Sequence, residues 1–505
     1  MADVSLFVLP PASPHAPSAA VPYLAGHLAA EGHHVRAFDL NAQVVRQYAP
    51  DEIIERLKSP IRTSEDVLLL SSAERSLARS CETALGHLDR SIDTSWADIE
   101  RRASAVIPAI VSQMVETVSR EFARSPGIIG LSCIDQDQLA VAVTVARETK
   151  KGAPDAVVIV GGPILTTCMR YFIDEPPFDA FDYMVVNDGA RTFERLLRAL
   201  ESGGPPPSDH VAFRSRPRVP VALKSIGLSP GSPAPPLFSA PLLAGVLAPR
   251  PVLPVFSAQG CSYGECNFCS SQRSVTPYRP APMRWIVGEM DRLNATTGAT
   301  DFDIVDNNFD PRRIRALADT LGGGERAYRW KATARFYEEF TAEFFERAVR
   351  AGCGLLCLGL ESYDDGALAA MKKGYTTATV DRVLGAARSA GLPIHLYAIV
   401  GHPSESGKSR IATLEYLRDQ QESFASVYLQ MYDANLSSGV FVNSSAGGAP
   451  IGPVPGLAEQ LFRYFPDFEM YPDEGGVLVR RRGYPRCEEL FFLALGDASY
   501  GHGAA

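Results

Sequence analysis

The chain lacks the long apolar runs that a membrane-spanning helix requires. No uninterrupted apolar stretch in its 505 residues reaches the roughly 18 residues needed to cross a bilayer, and no cationic leader precedes an apolar run near Met1. It also lacks an excess of basic residues, because 49 Lys and Arg stand against 58 Asp and Glu. The resulting net charge of −9 provides no basic surface for nucleic acid. These absences predict a cytoplasmic protein that binds neither membranes nor nucleic acid.

Cysteine is scarce and unevenly placed. The nine cysteines are an odd number scattered over a long chain, which differs from the dense, paired set of a disulfide-stabilised domain. Hydrophobic residues make up 46% of the chain and charged residues 21%, as in ordinary globular proteins. The length is sufficient for two or three domains with separate cores. We therefore expect a multidomain globular protein without a disulfide framework.

Three of these cysteines lie in one short, glycine-flanked stretch. Cys261, Cys266 and Cys269 follow the apolar run 252–256 with the spacing Cys-x4-Cys-x2-Cys. Three thiolates can hold three irons of a [4Fe–4S] cube and leave the fourth iron open. The alternatives are unrelated buried thiols or a zinc site, which needs four ligands and would have to recruit Cys353 or Cys357. Those two cysteines lie in an apolar strand context, which is typical of core residues.

The first 200 residues predict a doubly wound α/β domain. Short apolar runs alternate with amphipathic stretches, and continuous apolar strands indicate a parallel sheet covered on both faces. Ligands of such sheets bind at the carboxyl ends of the strands. The loops expected there contain Ser132, Cys133, Gly161, Gly162, Pro163, Asn187, Asp188 and Gly189.

Composition predicts the domain limits. A stretch rich in proline, glycine and serine between Gly203 and Pro254 indicates an interdomain linker. Beyond it, five or six strand-like runs alternate with helices, which is typical of a partial (β/α) barrel. The predicted domains are 1–205, a Rossmann-like domain; 206–250, a Pro-rich linker; 251–440, a barrel; and 441–505, a small C-terminal element.

The cysteine loop and the strands after it resemble the radical SAM superfamily over about residues 250–440. The commonest loop of that superfamily has one residue fewer in the first gap. The resemblance implies a [4Fe–4S] cluster on Cys261, Cys266 and Cys269, with S-adenosylmethionine bound to the open iron. Phe268 occupies the place where an aromatic residue packs on adenine.

The same resemblance assigns the ends of the later strands to S-adenosylmethionine. Asp306, with the two asparagines after it, lies where the family has a Gly-Gly-Glu type motif for the methionine amine, although these residues differ from that motif. Arg335 could pair with the methionine carboxylate. Glu361 and Ser362 lie in a segment whose carboxylate accepts hydrogen bonds from the ribose. Gly401 belongs to a Gly-x-Pro-x-Glu type segment that backs the adenine.

The amino-terminal domain resembles the cobalamin-binding domain that precedes many radical SAM modules. Gly161, Gly162 and Pro163 lie where that family has a Gly-Gly-Pro loop, and Asn187 to Gly189 lie where it has a Gly-Glu-Gly loop. The chain has no Asp-x-His-x-x-Gly pattern, so no recognisable histidine would replace the lower base of cobalamin. Ser132 and Cys133 are candidates to line that face or the nucleotide tail.

Together the two resemblances imply a cobalamin-dependent radical SAM C-methyltransferase. Its substrate would be an unactivated carbon of a natural-product or peptide intermediate, in a cavity that both domains face, and an external donor such as flavodoxin or ferredoxin would supply electrons. Tyr263, Tyr397, Gln430, Tyr432 and the carboxy-terminal Tyr/Arg stretch are candidates to line the substrate space. One alternative keeps the cofactors but performs a rearrangement, cyclisation or epimerisation. Another is a non-catalytic iron–sulfur or zinc protein, which would require a fourth cysteine ligand.

Overall fold

The described part of the chain forms two compact units. The structure is a computed structural model, and it describes residues 1–10, 12, 16–48, 51–59, 95–106, 108–172, 174–187, 189–219, 234–248, 250–269, 277–322, 326–432, 468–472 and 476–481. The units divide between Pro251 and Val252, next to the predicted start of the second domain. Asp188 and most of the predicted element 441–505 lie outside the described residues.

The first unit is built on a twisted sheet with the strand order β2-β1-β3-β4-β5-β6. The first five strands are parallel, and β6 pairs antiparallel with β5. This order is that of a flavodoxin-like doubly wound fold, in which successive strands are added on one side of β1 and then, from β3 onwards, on the other. The doubly wound prediction is therefore confirmed. The strands are β1 (Asp3–Val8), β2 (His34–Asp39), β3 (Ile128–Ser132), β4 (Val157–Gly161), β5 (Tyr183–Val185) and β6 (Val211–Ala212).

Helices of the first unit cover its apolar strands. Val4, Leu6 and Ile159 from the sheet pack with Leu196 and Leu197 in one buried cluster. Such burial of aliphatic side chains is the main stabilising term of the fold. The helices are α1 (Ala20–Ala30), α2 (Leu40–Tyr48), α3 (Asp51–Lys58), α4 (Trp96–Ala105), α5 (Pro108–Arg124), α6 (Gln136–Gly152), α7 (Pro163–Tyr171), α8 (Gly189–Ser202) and α9 (Ala240–Ala244).

The described parts of the predicted linker pack against the first unit. The amide of Leu237 donates to the carbonyl of Pro22 at 2.9 Å. A Cβ atom at Gly26 of α1 would overlap the carbonyl oxygen of Pro235, so the absence of a side chain there allows the two backbones to touch. Composition thus predicted the irregular backbone of this segment, but it did not show that its ends are docked.

The second unit contains six parallel strands in sequential order, β7-β10-β11-β12-β13-β14. This arrangement confirms the predicted partial barrel. An antiparallel hairpin, β15 and β16, extends the sheet beside β14, and β8 and β9 form a separate ribbon. The strands are β7 (Val252–Val255), β8 (Ala258–Gln259), β9 (Arg279–Pro280), β10 (Asp301–Ile304), β11 (Arg329–Ala334), β12 (Cys353–Glu361), β13 (Ile394–Val400), β14 (Ser426–Met431), β15 (Phe468–Pro472) and β16 (Gly476–Arg481).

The parallel strands of the second unit have one apolar and one polar face. Trp330 of β11 points to the helical side, because its indole donates to the carbonyl of Ala351 at 2.9 Å. The next residue, Lys331, lies on the opposite face, where it forms a buried ion pair with Asp303 at 3.0 Å. The helices are α10 (Met283–Thr297), α11 (Pro311–Leu321), α12 (Ala342–Arg350), α13 (Asp365–Ala370), α14 (Thr377–Ser389), α15 (Gly407–Asp419) and a 3-10 turn (Gln421–Ser423).

Among the described residues, none of the helices has the length and apolar character needed to cross a membrane.

Candidate cofactor sites at the carboxyl edges of the two sheets

The segment that leads into the cysteine loop is anchored by Asp306, at the carboxyl end of β10. Its carboxylate accepts hydrogen bonds from the amides of Ser257 at 2.8 Å and Ala258 at 3.0 Å, and from the Ser257 hydroxyl. Burial raises the pKa of this carboxyl to about 6, although these hydrogen bonds oppose the shift. The Asp306 carboxylate therefore orients the backbone before the loop, and its predicted contact with S-adenosylmethionine stays a prediction.

Asn308 joins three elements of the site, a role that sequence reasoning missed. Its side-chain amide donates to the hydroxyls of Ser262 and Tyr337, and its carbonyl oxygen accepts from the amide of Arg335 at 2.9 Å. Ser262 lies in the cysteine loop, whereas Arg335 directly follows β11. The polar residues after β10 were a signal that this position is occupied by a side chain, but only the fold shows which partners it has.

The loop itself is shaped by glycine. Gly260 and Gly264 adopt φ values of 73° and 65°, in the left-handed region that side chains disfavour. The amide of Gly264 donates to the sulfur of Cys261 at 3.3 Å, and none of the three loop cysteines forms a disulfide. Burial raises the pKa of the Cys266 thiol. The loop thus supplies three thiols on a backbone bent by glycine.

A zinc site completed by the other cysteines is not what the fold shows. Cys353 begins β12, at the strand end opposite the carboxyl edge, and both Cys353 and Cys357 are buried in the core. Within the described ranges, no three His, Cys, Asp or Glu side chains converge on a single ion. The cysteines of a cubane each bind a different iron, so a cluster does not require such convergence.

Arg335 lies between aromatic rings beside the cysteine loop. Its guanidinium carbon is 4.1 Å from the ring centre of Tyr263 and 4.6 Å from that of Tyr337. One terminal nitrogen donates to the carbonyl of Gly374 at 2.7 Å. Its Nε atom is buried and has no hydrogen-bond partner among the described residues. The side chain is therefore held by cation–π contacts and keeps a donor available for an anionic ligand.

Glu361 ends β12 in an unusual backbone conformation. Its φ value is 57°, and its carboxylate pairs with Lys373 at 2.8 Å. A Cβ atom at Gly359 would overlap this carboxylate, so glycine is needed for the side chain to fold back. The neighbouring Ser362 instead contacts Thr413 of α15, with 3.3 Å between the two hydroxyl oxygens. The fold therefore brings Glu361 to the site and directs Ser362 towards a helix.

The segment after β13 faces Phe268 of the cysteine loop. Gly401 has a φ value of 89°, and its amide donates to the carboxylate of Glu405 at 2.6 Å. The ring of His402 meets Phe268 edge to face, with 6.2 Å between ring centres. The structure thus brings together two segments that the sequence separates by more than a hundred residues.

The candidate substrate residues fall at different places. Tyr263 contacts Arg335 and donates to the carbonyl of Lys372 at 2.6 Å. In the register of β13 and β14, Tyr397 lies opposite Tyr428, and Gln430 lies two residues further along β14; Tyr397 and Gln430 are both partly exposed. Tyr432 contacts His402, with 4.9 Å between ring centres. The carboxy-terminal Tyr/Arg stretch lies mostly outside the described residues.

In the first unit, the predicted loops all lie at the carboxyl ends of β3, β4 and β5. The amide of Cys133 donates to the carbonyl of Gly161 at 2.9 Å. Gly162 has a φ value of 117°, and a Cβ atom there would overlap the carbonyl oxygen of Cys133. Pro163 then begins α7 with a fixed φ that suits the first helical turn. Ser132 ends β3 and is half-buried.

The Cys133 thiol is fully buried, and burial raises its pKa well above the ordinary value. The whole residue faces the protein interior, so its predicted contact with a cofactor stays a prediction. Asn187 adopts a φ of 62°, and its side-chain Nδ2 lies 2.8 Å from the Nδ1 of His210. A Cβ atom at Gly189 would meet no atom within 4 Å, so the start of α8 is open on that side.

These features fit the cofactors that the sequence implies. Three cysteines on one loop, none of them in a disulfide, suit a cluster with an open iron. The buried, unpartnered Nε of Arg335 and Nε2 of His402 provide donors for a ligand at the carboxyl edge of the second sheet, as judged from the described residues. In the first unit, Gly161 and Gly162 are partly exposed at the end of β4, and the open start of α8 at Gly189 leaves room for a large planar ligand at the strand ends.

Comparisons with known proteins agree with both sites. The B12 binding domain model matches residues 87–197, and the Radical SAM superfamily model matches residues 255–417. The chain is 26% identical over 179 residues to bacteriochlorophyllide d C-12(1)-methyltransferase from Chlorobaculum tepidum. That match covers 34% of this chain and 39% of the relative, so it spans well under half of that protein.

Two solved structures share the fold. The radical S-adenosylmethionine methyltransferase TsrM from Kitasatospora setae, solved with cobalamin and a [4Fe–4S] cluster, has a TM-score of 0.61 at 16% identity, over 99% of this chain and 88% of that chain. The cobalamin-dependent S-adenosylmethionine radical enzyme OxsB, solved with aqua-cobalamin, has a TM-score of 0.55 at 15% identity, over 89% of this chain and 57% of that chain.

The two family models lie one after the other, each over one of the two compact units. A [4Fe–4S] cluster, S-adenosylmethionine and cobalamin are the cofactors of these two kinds of domain. The chain therefore carries a B12-binding domain ahead of a radical SAM domain.

Proposed function

We propose that this protein is a cobalamin-dependent radical SAM methyltransferase that methylates an unactivated carbon of a small-molecule or peptide intermediate. The observation that carries the proposal is the presence of both cofactor sites in one chain, in an order and fold shared with TsrM over nearly its whole length. An external donor such as flavodoxin or ferredoxin would supply the electrons. When bound, S-adenosylmethionine and the cluster supply hydrogen-atom abstraction, and cobalamin supplies the methyl group.

The residues of the second unit have three tasks in this proposal. Cys261, Cys266 and Cys269 hold the cluster. Asp306 and Asn308 keep the loop in place through the hydrogen bonds at its entrance and at Ser262. This anchoring matters because cofactor chemistry requires reacting atoms to be held in a fixed geometry.

The remaining residues of the second unit would bind S-adenosylmethionine. Arg335 presents its guanidinium to the methionine carboxylate, since a planar cation with a free donor suits that anion. Glu361 lies on the same edge and would accept from the ribose, while the Ser362 hydroxyl contacts Thr413 of α15. Phe268 and the backbone at Gly401 would contact the adenine.

In the first unit, the cobalamin would lie against the carboxyl ends of β3, β4 and β5. The partly exposed backbone of Gly161 and Gly162 forms one part of this surface, and Cys133 holds it from behind through its amide. Pro163, with Ser132, completes that part, and Asn187 with Gly189 forms the other part. Since these contacts come mainly from backbone, the first unit orients the cofactor by shape.

The test is to purify and reconstitute the protein anaerobically and supply methyl-labelled S-adenosylmethionine with a strong reductant. We expect bound cobalamin, S-adenosylhomocysteine and 5′-deoxyadenosine. Formation of 5′-deoxyadenosine without S-adenosylhomocysteine would contradict methyl transfer and favour a rearrangement, cyclisation or epimerisation. Absence of both products, with no change in a Cys266→Ala variant, would contradict radical chemistry altogether.

A further inference from the structure

His402 has a buried imidazole ring, and only one of its two nitrogens has a hydrogen-bond partner among the described residues. It is 4% exposed, and its Nδ1 accepts a hydrogen bond from the amide of Ser404 at 3.2 Å. The Ser404 hydroxyl lies 2.7 Å from the same nitrogen. Its Nε2 is buried and has no hydrogen-bond partner in the part of the chain that the structure describes. Buried polar groups almost always have a partner, and a bound ligand is one way to supply it.

The geometry determines which nitrogen carries the proton. A backbone amide is always a donor, so the Nδ1 that accepts from Ser404 has no hydrogen in the neutral ring. The hydrogen of neutral His402 is therefore on Nε2. Burial lowers the pKa of His402 to about 4, which keeps the ring neutral at physiological pH. Nε2 is thus a neutral donor that needs an uncharged or anionic acceptor.

The surroundings of this donor narrow the chemistry of the acceptor. His402 directly follows Gly401 at the carboxyl end of β13, and its ring lies between Phe268 and Tyr432, with edge-to-face angles of 80° and 76°. Phe268 lies between two cysteines of the cluster loop. An acceptor that reaches Nε2 beside these rings is best carried by a flat heteroaromatic ligand, because rings pack on rings.

We propose that the Nε2–H of His402 donates a hydrogen bond to a ring nitrogen of the adenine of S-adenosylmethionine. Adenine is flat and carries three ring nitrogens, N1, N3 and N7, that accept hydrogen bonds in a nucleoside. This inference rests on the proposed binding of S-adenosylmethionine at this edge, and it adds a side chain that selects the purine. His402 is then a binding residue in addition to the backbone at Gly401.

The test measures the affinity of the anaerobically reconstituted protein for S-adenosylhomocysteine by calorimetry. The ligand series includes its 1-deaza, 3-deaza and 7-deaza adenine analogues, each of which lacks one acceptor. His402→Phe keeps an aromatic ring and removes the donor, and we expect it to weaken S-adenosylhomocysteine roughly tenfold. His402→Gln, whose amide nitrogen reaches a similar position, should recover most of that loss. Ser404→Ala, the matched control, should bind within about threefold of the wild type, because the backbone amide still sets the tautomer.

The analogues identify the acceptor. In the wild type, one deaza analogue should bind roughly tenfold more weakly than S-adenosylhomocysteine, and in His402→Phe these two ligands should bind equally. Equal binding of all analogues to the wild type would overturn the proposal, as would a difference that persists in His402→Phe. Unchanged affinity in His402→Phe would also overturn it.

The proposed function is checked separately with the same wild-type preparation. If the wild type forms 5′-deoxyadenosine but shows no discrimination among the analogues, only the role of His402 fails. If the wild type binds neither S-adenosylmethionine nor S-adenosylhomocysteine, the proposed function fails as well.

Discussion

The two candidate sites lie at equivalent edges of two parallel sheets, yet they are built from different kinds of atoms. In the first unit, the edge is formed by backbone, and the one thiol on it, that of Cys133, is fully buried. In the second unit, it is formed by side chains that are charged or polar, such as Asp306, Asn308 and Arg335. The first site depends on the absence of side-chain volume, whereas the second depends on particular functional groups.

This difference predicts which substitutions each site can tolerate. Adding a methyl group should damage the first site where the backbone is crowded, because packed atoms cannot move apart cheaply. Removing a polar group should damage the second site, because its buried partners are left without a hydrogen bond. The variants below test this contrast.

The largest effect is expected from the cluster loop. Cys266→Ala removes one of the three proposed ligands, so the reconstituted protein should lose most of its iron and sulfide and all activity on S-adenosylmethionine. Iron and sulfide analysis with electron paramagnetic resonance measures this. Cys353→Ala is the control, since this buried thiol lies at the other end of its strand, and it should keep the cluster. Loss of the cluster in Cys353→Ala with retention in Cys266→Ala would reverse the ligand assignment.

The backbone site is tested by two adjacent glycines. Gly162→Ala should destabilise the first unit by about 3 kcal/mol, because its φ is 117° and its new Cβ atom would overlap Cys133. Gly161→Ala should change stability by no more than about 0.5 kcal/mol, since the nearest atoms to its Cβ belong to Val185 at 3.7 Å. Hydrogen exchange of β3 and β4 measures both, and cobalamin uptake should follow the same order. Equal losses of stability in Gly161→Ala and Gly162→Ala would contradict the crowding that the fold shows only at Gly162.

The anchoring role of Asp306 is expected to have a somewhat smaller effect. Asp306→Ala leaves the amides of Ser257 and Ala258 without their acceptor and should cost roughly 2 kcal/mol. Asp306→Asn keeps an acceptor and should retain the cluster. Urea denaturation and iron content together measure the two variants, and a cluster that survives intact in Asp306→Ala would contradict the anchoring role.

The same residue predicts a pH dependence. The folded pKa of Asp306 is raised to about 6 from an ordinary value of 3.8. A carboxyl whose pKa is raised on folding contributes stability when the pH is below its pKa in the unfolded chain. This contribution is lost as the pH rises through the folded pKa of about 6. Asp306→Asn should therefore become more stable relative to the wild type between pH 5 and pH 8, as measured by urea denaturation at about those pH values. If the difference in unfolding free energy between Asp306→Asn and the wild type does not change with pH, this charge effect is disproved.

The smallest effect is expected at Arg335. Arg335→Lys keeps the charge but loses the flat group that lies against Tyr263 and Tyr337, so the affinity for S-adenosylmethionine should fall roughly tenfold. Arg326→Lys is the control, because its ion pair with Asp291 is at the surface. Calorimetry distinguishes the two, and equal affinity in both variants would remove Arg335 from the binding site.

The local signals of the sequence predicted much of both units. Apolar runs predicted β1, β3 and β4 and the parallel strands of the second unit, because buried strands of a parallel sheet are apolar on both sides. The Pro-rich segment, however, was predicted as a linker. Proline and glycine show where regular structure stops, but the packing of Pro235 on Gly26 depends on shapes that are distant in sequence.

The amino-acid sequence by itself determined the cysteine loop, the succession of strands and helices along the chain, and the glycine turns. These features follow from residue spacing and backbone preference. Only the tertiary structure decided what the individual side chains do at the strand ends. In the tertiary structure, Asp306 and Asn308 form hydrogen bonds with the cysteine loop and the segment before it. Ser362 contacts a helix, and His402 contacts the ring of Phe268. The reason is that a hydrogen bond or ring contact depends on direction and on a few ångströms of distance. Those distances are set when parallel strands bring their carboxyl ends to one edge of the sheet.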